Sequence, residues 1–312
     1  MRSRRRTLSL RCARDRCHGS PPSGSSSTVP SLWEAVTLGV LQGPTELLPI
    51  SSSGHTALIP WLAGWSYAEL DPEVRKSFEV ALHTGAGVAL AIDMRAELSE
   101  AMRTLDGRRA AMIALSLLPA ALAGYTLERP IERRLGGPCS IATGLIAGAV
   151  AMAVADLHPG SGEQDEQNGR DESQAGPRDG LALGLAQAAA LIPGVSRNGA
   201  TLAVARARGF RRTDAQALSW HAALPVILGA SVLKGWRMYR GGVPNDRGDV
   251  PNGAWPALAA GAGSAFVSTT ASARLLRRAR VRERGLLPYA LYRCTIAAVA
   301  LVRVRDAQNR SR

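Results

Sequence analysis

The sequence predicts an all-α, polytopic membrane protein, and long uncharged segments are the first evidence for it. Four runs of eighteen or more residues contain no Asp, Glu, Lys or Arg, and each is about the length of a membrane-spanning helix. These runs are residues 110–127, 138–155, 215–233 and 250–273. Their many Ala, Gly and Ser residues favour close helix packing in lipid. A large soluble helical bundle is the alternative, but its buried helices rarely stay uncharged over such lengths.

The second observation is a pair of similar apolar segments, each interrupted by Pro, Gly and Ser. Residues 38–55 and 183–201 both begin with Leu-Gly-x-x-Gln, and both reach a proline, at Pro49 and Pro193. Proline tends to end a helix, and a broken helix is tolerated at membrane depth only where it is buried in protein or lines a cavity. Two such segments predict two internal repeats, each containing a broken or re-entrant helix, with a binding site between them.

Composition changes along the chain predict the domain organisation. We expect a single membrane-embedded domain with a polar, Gly-rich and acidic linker between the two repeat halves. The N-terminal segment is Arg-rich and then Ser/Gly/Pro-rich, without an apolar run, so it does not predict a signal peptide. A disordered basic tail and a start codon placed too far upstream are the two alternatives for it. The predicted ranges are 1–30 for the tail, 31–305 for the domain, about 31–155 and 181–305 for the halves, 156–180 for the linker and 306–312 for a C-terminal tail.

The net charge of +13 does not indicate nucleic-acid binding, because the positive charges lie in short connectors between apolar runs. That distribution is typical of the positive-inside bias of membrane proteins. The connector arginines are Arg103, Arg108 and Arg109; Arg206, Arg208, Arg211 and Arg212; and Arg274, Arg277, Arg278, Arg280, Arg282 and Arg284. We therefore expect the membrane as partner and no nucleic acid.

The first interrupted segment carries a concentration of polar side chains in an apolar setting. Glu46 is the only charged residue between Ala35 and Ala68, and three serines and His55 follow it closely. Gln42 lies four residues before Glu46, so both side chains would share one helix face. Polar groups are costly in such a run, which indicates that they serve a chemical function.

At these residues the chain resembles the bacterial undecaprenyl-diphosphate phosphatase family, the integral-membrane bacitracin-resistance type. One family signature is a Glu or Gln, a Glu four residues later, and a Pro-Ile-Ser-Ser-x-Gly-His tract; here it comprises Gln42, Glu46 and residues 49–55. The other, Pro-Gly-x-Ser-Arg-x-x-x-Thr, comprises residues 193–201. The similarity extends from about residue 31 to residue 304, with weaker matches that include Tyr292-Arg293.

The resemblance implies removal of the terminal phosphate from a C55 polyprenyl diphosphate, which regenerates the lipid carrier for cell-wall synthesis. It also implies a multi-pass protein of the cytoplasmic membrane whose site faces outward, and dependence on Mg²⁺ or Ca²⁺. The expected partners are the polyprenyl diphosphate lipid and the membrane, with a homodimer as an open alternative to a monomer.

Residue chemistry assigns roles within this site. Arg197 is the expected phosphate clamp, because its planar guanidinium can bind two oxygens at once. His55 is the candidate general acid or base, since its intrinsic pKa suits proton transfer at neutral pH. Ser52 is the leading nucleophile, with Ser51 or a directly attacking water as alternatives. The expected phosphate-binding residues are Ser51, Ser53, Ser196, Asn198 and Thr201.

Glu46 is expected to be catalytic, either by holding a divalent cation with Gln42 or by orienting His55. Gln42 supplies an amide oxygen where many family members have a second carboxylate, so one anionic ligand is missing. Hard cations are often held by one or two carboxylates plus substrate oxygens, so the predicted metal site of Gln42 and Glu46 remains feasible.

Two other functions compete with this assignment. The Ser-Gly-His run also resembles type-2 phosphatidic-acid phosphatases, but position 203, where that family needs a second His, is Ala. A polyprenyl-phosphate flippase or transporter without hydrolysis is the remaining alternative, because repeats with broken helices are a transporter feature.

Overall fold

The computed structural model describes residues 29–157, 168–239, 253–278 and 285–310. Within these ranges the regular structure is helical, which confirms the predicted all-α class. Most of the predicted N-terminal tail, residues 158–167 of the predicted linker and Arg280, Arg282 and Arg284 lie outside the described residues.

The helices, numbered in chain order, are α1 Leu32–Leu47, α2 Ser52–Ala63, α3 Pro72–Asp93, α4 Arg95–Arg103, α5 Gly107–Leu135, α6 Pro138–Leu157, α7 Pro177–Ala189, α8 Arg197–Ala207, α9 Arg212–Tyr239, α10 Trp255–Arg278 and α11 Leu287–Arg310. Short 3₁₀ turns occupy Ser66–Glu69 and Glu172–Gln174. Helix α7 begins inside the segment that the sequence predicts as a linker.

Helices α1 and α2 form a re-entrant hairpin, which we call the first hairpin. Glu34, in the first turn of α1, accepts hydrogen bonds from the backbone N–H of Tyr67 at 3.0 Å and from the hydroxyl of Ser66 at 2.9 Å. Both of these residues lie just after α2, so the hairpin enters and leaves at one end of the molecule, which we call the Tyr67 end. Ser31 and Glu34 form a capping box that starts α1.

Helices α7 and α8 form a second hairpin, and it enters from the opposite end. Asp179 at the start of α7 accepts a hydrogen bond from Arg208 just after α8, at 2.5 Å. One cavity is lined both by Arg206 in α8 and by the C-terminal end of α3 at Asp93. Asp93 also pairs with Arg277 near the end of α10. We call this the Arg277 end; α3 runs to it from the Tyr67 end.

Among the residues that the structure describes, three helical segments are long and apolar enough to cross a membrane: Gly107–Leu127, Pro138–Leu157 and Leu287–Arg310. The first two contain predicted uncharged runs. The runs at 215–233 and 255–273 are helical but are not among the three segments. Residues 253 and 254 precede α10, and residues 250–252 lie outside the described ranges. Leu118, Leu122 and Val154 are each 62% exposed, as expected for side chains that face lipid.

Small residues let each hairpin approach a long neighbouring helix closely. Helix α1 packs against α10 and α7 packs against α5. A Cβ at Gly39 would lie 2.5 Å from the carbonyl oxygen of Gly261, and one at Gly184 would lie 2.4 Å from that of Leu115. Close backbone approach through Gly is typical of packing between membrane helices. The two hairpins thus have similar environments, while the internal repeat itself stays a prediction.

Candidate active site

The first hairpin turns at residues 48–51, and its geometry follows from Pro49 and Ser51. Leu48 is extended, as expected for a residue that precedes proline. Ser51 has φ +78°, which is unusual for a residue other than Gly, and its hydroxyl accepts a hydrogen bond from the N–H of Gly54 at 3.2 Å. This N-cap makes Ser52 the first residue of α2.

The second hairpin turns between Ala189 and Arg197 in a comparable way. Gly194 has φ +91°, and a Cβ there would lie 2.2 Å from the carbonyl oxygen of Ile141, so both its conformation and its close contact favour glycine. Ser196 caps α8, because its hydroxyl accepts a hydrogen bond from the N–H of Gly199 at 3.1 Å. Arg197 is therefore the first residue of α8.

The turns meet at Glu46, whose carboxylate contacts three of the predicted site residues. Arg197 Nη2 donates to Glu46 Oε1 at 2.7 Å across a sequence separation of 151 residues. Ser52 Oγ donates to the other oxygen, Oε2, at 2.8 Å, and Gln42 Nε2 donates to Oε2 at 3.1 Å. The carboxylate is 6% exposed, so its charge is balanced by Arg197 and by these donors rather than by bulk water.

A cavity of about 460 Å³ adjoins this cluster and receives side chains from both hairpins. Its polar lining includes Glu46, Ser52 and Arg197 together with Ser51, Ser53 and Ser196. Pro72, Arg75, Lys76 and Glu79 from the first two turns of α3 also line it, which places this part of the cavity toward the Tyr67 end.

Asn198 and Thr201 contribute mainly to packing around the turn. Asn198 Nδ2 donates to the carbonyl oxygen of Leu47 at 2.8 Å, which ties α8 to the end of α1. Ser219 of α9 donates to Asn198 Oδ1 at 3.0 Å and lies 2.6 Å from the hydroxyl of Thr201. Asn198 also lines the cavity, whereas Thr201 is fully buried. Their predicted contacts with phosphate stay predictions.

His55 is directed away from the Glu46 cluster. Its Nδ1 donates to the carbonyl oxygen of Ser51 at 2.7 Å, so Nε2 is the atom that accepts the hydroxyl of Tyr292 at 2.8 Å. The two rings are stacked with an interplanar angle of 6°. Both ring nitrogens of His55 are therefore hydrogen-bonded to other groups. Within the described residues, His55 makes no contact with Glu46, with which the sequence predicts it could pair. A role for His55 in proton transfer stays a prediction.

His83 in α3 is an imidazole beside Glu46 that the motifs do not include. Its Nδ1 donates to the carbonyl oxygen of Glu79 at 2.8 Å, so Nε2 faces Glu46 Oε2 at 3.7 Å. The side chain is 35% exposed and lines the cavity. The only sequence signal for it is the i, i+4 spacing of Glu79 and His83 on one face of a helix.

Arg293 in α11 connects the turns of the two hairpins. It is fully buried, and its Nη2 donates to the carbonyl oxygen of Gly194 at 2.9 Å while Nη1 donates to that of Pro49 at 3.4 Å. A third hydrogen bond runs from its Nε to the carbonyl oxygen of Leu145 at 3.2 Å. These contacts fix the turns relative to α6 and α11.

Comparison with known proteins identifies the family. The model of the family described as "Bacitracin resistance protein BacA" matches residues 35–299. The chain belongs to this family. The match covers every predicted site residue and both hairpins apart from the first three residues of α1, so the Glu46 cluster lies within the matched part of the chain.

Several curated relatives of this chain carry the name undecaprenyl-diphosphatase. The protein of Geobacter sulfurreducens is 37% identical over 282 residues, covering 86% of this chain and 97% of the relative. The protein of Nocardioides sp. is 34% identical over 289 residues, covering 87% and 96%. The protein of Mycobacterium avium is 32% identical over 302 residues, covering 86% and 96%.

The side chains around Glu46 offer few ligands for the divalent cation that the family resemblance implies. No group of three or more His, Cys, Asp or Glu side chains that could hold a metal occurs among the described residues. Gln42 Oε1, however, is a buried oxygen with no hydrogen-bond partner, one helical turn from Glu46. One carboxylate plus one free amide oxygen fits a Mg²⁺ or Ca²⁺ site that substrate phosphates would complete.

Proposed function

We propose that this membrane protein hydrolyses undecaprenyl diphosphate to undecaprenyl phosphate and inorganic phosphate at the Glu46 cluster. The observation that carries the proposal is the meeting of Ser52, Glu46 and Arg197 at one cavity in a chain of the BacA family. A diphosphate needs a cation for its oxygens, a nucleophile in line and a group that accepts a proton, and these three side chains supply one of each.

Ser52 is the nucleophile in this proposal. Its Oγ attacks the terminal phosphorus as its proton passes to Glu46 Oε2, to which it already donates a hydrogen bond at 2.8 Å. The bond from the terminal phosphorus to the bridging oxygen breaks, and the polyprenyl phosphate leaves with the electron pair. Water then attacks the phosphorus of the phosphoserine, the bond from phosphorus to Ser52 Oγ breaks, and inorganic phosphate leaves. The proton returns from Glu46 to Ser52 Oγ, which restores the hydroxyl and the carboxylate. Ser51 is less suited, because its hydroxyl caps α2.

Arg197 stabilises the charge that develops on the transferred phosphoryl group. Nη2 is held by Glu46, while Nη1 is buried and has no hydrogen-bond partner within the described chain. A phosphoryl oxygen would satisfy that donor. A divalent cation held by Glu46 and Gln42 Oε1 would further neutralise the phosphate oxygens when bound.

We also propose that the cavity faces the outside of the cytoplasmic membrane. Three connectors rich in Arg lie at the Arg277 end: that between α8 and α9, the end of α10, and that between α4 and α5. The last is placed there because Arg108 donates to the carbonyl oxygen of Gln174, just before α7. The positive-inside bias assigns that end to the cytoplasm. The cavity, lined by the first turns of α3, is then on the outer side. A homodimer stays a prediction, which molar mass in detergent would test.

Phosphate release from undecaprenyl diphosphate by protein purified in detergent tests the function. We expect activity in the wild type, and Ser52→Ala to lower it by at least about 100-fold, since the nucleophile is lost. Thr126→Ala, which removes an exposed hydroxyl from α5, is the matched control and should keep full activity. Wild-type protein that binds the lipid but releases no phosphate would contradict the proposal and favour a transporter.

Orientation is tested by labelling single cysteines in a chain whose native cysteines are replaced by Ser. Asp71→Cys at the Tyr67 end should react with a membrane-impermeant maleimide in intact cells. Leu105→Cys, between α4 and α5, should react only after the cells are permeabilised. The reverse pattern would place the cavity on the cytoplasmic side.

A further inference from the structure

A second arginine lines the cavity and has a donor without a partner. Arg75 is in the first turn of α3, and its Nε is buried and makes no hydrogen bond within the described residues. Arg197, also in the cavity lining, has such a donor as well, at Nη1. Buried donors normally have a hydrogen-bond partner. Two arginines that line one cavity and each keep a donor without a partner therefore indicate an anionic ligand with more than one acidic group.

The charges of the cavity support the same conclusion. The charge of Arg197 is already balanced by Glu46, with 2.7 Å between the two side chains. A diphosphate brings two adjacent phosphoryl groups, and one guanidinium that is shared with a carboxylate cannot neutralise both. Arg75 and the neighbouring Lys76 are the other Arg and Lys side chains that line this cavity among the described residues, and Glu79 is the one further carboxylate of that lining.

We propose that Arg75 binds the phosphate that remains on the polyprenyl chain, while Arg197 holds the terminal phosphate. This inference rests on the proposed function and adds a second phosphate subsite to it. The terminal phosphorus must lie at Ser52. Ser52 and Arg197 both donate hydrogen bonds to Glu46, so the terminal phosphate is also near Arg197. Arg75 lies two helical turns before His83, the α3 residue beside Glu46, so its subsite is nearer the Tyr67 end than the reacting group is.

The test separates the two phosphates by means of the two products. One product, the polyprenyl monophosphate, carries the phosphate that remains on the lipid, and farnesyl phosphate is its probe. The other product, inorganic phosphate, corresponds to the terminal phosphate of the diphosphate. Binding of each probe is measured by the fluorescence of the intrinsic tryptophans, and inhibition by each is measured in the phosphatase assay. The variants are Arg75→Gln, Arg75→Lys and, as a control at the same end, Arg134→Gln at an exposed arginine of α5.

We expect Arg75→Gln to weaken binding of farnesyl phosphate about tenfold, the effect of losing one charge-assisted contact. It should raise KM for the diphosphate by a similar factor, and the affinity for inorganic phosphate should stay unchanged. Arg75→Lys should lose less, because the charge is kept, and Arg134→Gln should match the wild type.

Unchanged affinity for farnesyl phosphate in folded Arg75→Gln would overturn the proposal, as would a loss of affinity for inorganic phosphate instead. The unfolding temperature in detergent shows whether a variant is folded, and Arg75→Lys provides the comparison if Arg75→Gln is not. Wild-type protein without phosphatase activity would contradict the proposed function, while the binding measurements would still decide the role of Arg75.

Discussion

Arg197 Nη2 lies 2.7 Å from Glu46 Oε1, and this contact joins one residue from each hairpin across a sequence separation of 151 residues. Glu46 and Ser52 belong to the first hairpin and Arg197 belongs to the second. Neither hairpin alone therefore presents the carboxylate, the hydroxyl and the guanidinium to the cavity. An ion pair of this kind positions the two turns relative to each other, and a phosphate that enters the cavity meets groups that are already placed.

Replacement of Arg197 by Lys should remove most activity. A lysine keeps the charge, but its compact ammonium cannot contact Glu46 and a phosphoryl oxygen with separate arms of one planar group. We expect turnover to fall by about 100-fold, with Arg134→Lys as the matched control. Near-normal turnover in Arg197→Lys would mean that Arg197 serves as an anchor and not as a phosphate clamp.

The spanning helices predict that the protein requires a membrane or detergent. Apolar side chains such as Leu118 and Val154 face outward, and in water they would drive aggregation. We expect the full-length chain to sediment with membranes and to leave them only in detergent. Active full-length protein in the soluble fraction without detergent would contradict the membrane assignment.

Arg293 should be essential for the geometry of the site although it lies outside the cavity. Arg293→Leu leaves carbonyl oxygens of both turns without donors, so we expect a loss of about 3 kcal/mol in the free energy of unfolding. This corresponds to a fall of roughly 6 °C or more in the apparent unfolding temperature. The unfolding temperature of Arg293→Lys should lie between those of the wild type and Arg293→Leu. Arg303→Leu, at an exposed arginine of the same helix, should leave the unfolding temperature unchanged. An unchanged unfolding temperature in Arg293→Leu would contradict this role.

The sequence predicted the helix breaks and the residues of the Glu46 cluster because proline, glycine and capping serines act locally. Pro49 forces Leu48 to be extended, and Ser196 caps α8, so the positions of Ser52 and Arg197 follow from short-range rules. The capping box of Ser31 and Glu34 could have been found in the same way, from the Ser-x-x-Glu pattern.

The remaining features depend on long-range packing that no local pattern encodes. The direction of His55 depends on Tyr292, which is 237 residues away. The approach of His83 to Glu46 depends on how α3 packs beside the first hairpin, and the burial of Arg293 depends on where α11 lies. The sequence therefore predicts no role for His83 and Arg293, and the role that it predicts for His55 stays a prediction.

Substitution of Gln42 should change the affinity of the site for a divalent cation. Gln42→Glu would place a second carboxylate beside Glu46, where the amide now donates to Oε2 at 3.1 Å. Two adjacent carboxylates repel each other unless a cation lies between them, so the variant should bind Mg²⁺ or Ca²⁺ more tightly and need less metal for half-maximal rate. Glu46→Gln should do the reverse and nearly abolish turnover.

Metal binding is measured directly by calorimetry as well as through the rate, at fixed substrate. Glu79→Gln, which removes another carboxylate from the cavity lining, is the control and should leave the metal curve unchanged. An extra carboxylate that only repelled the diphosphate would instead raise KM without a change in metal affinity. Identical metal curves for the wild type, Gln42→Glu and Glu46→Gln would mean that this helix face does not bind the ion, and Glu46 would then act only through Ser52 and Arg197.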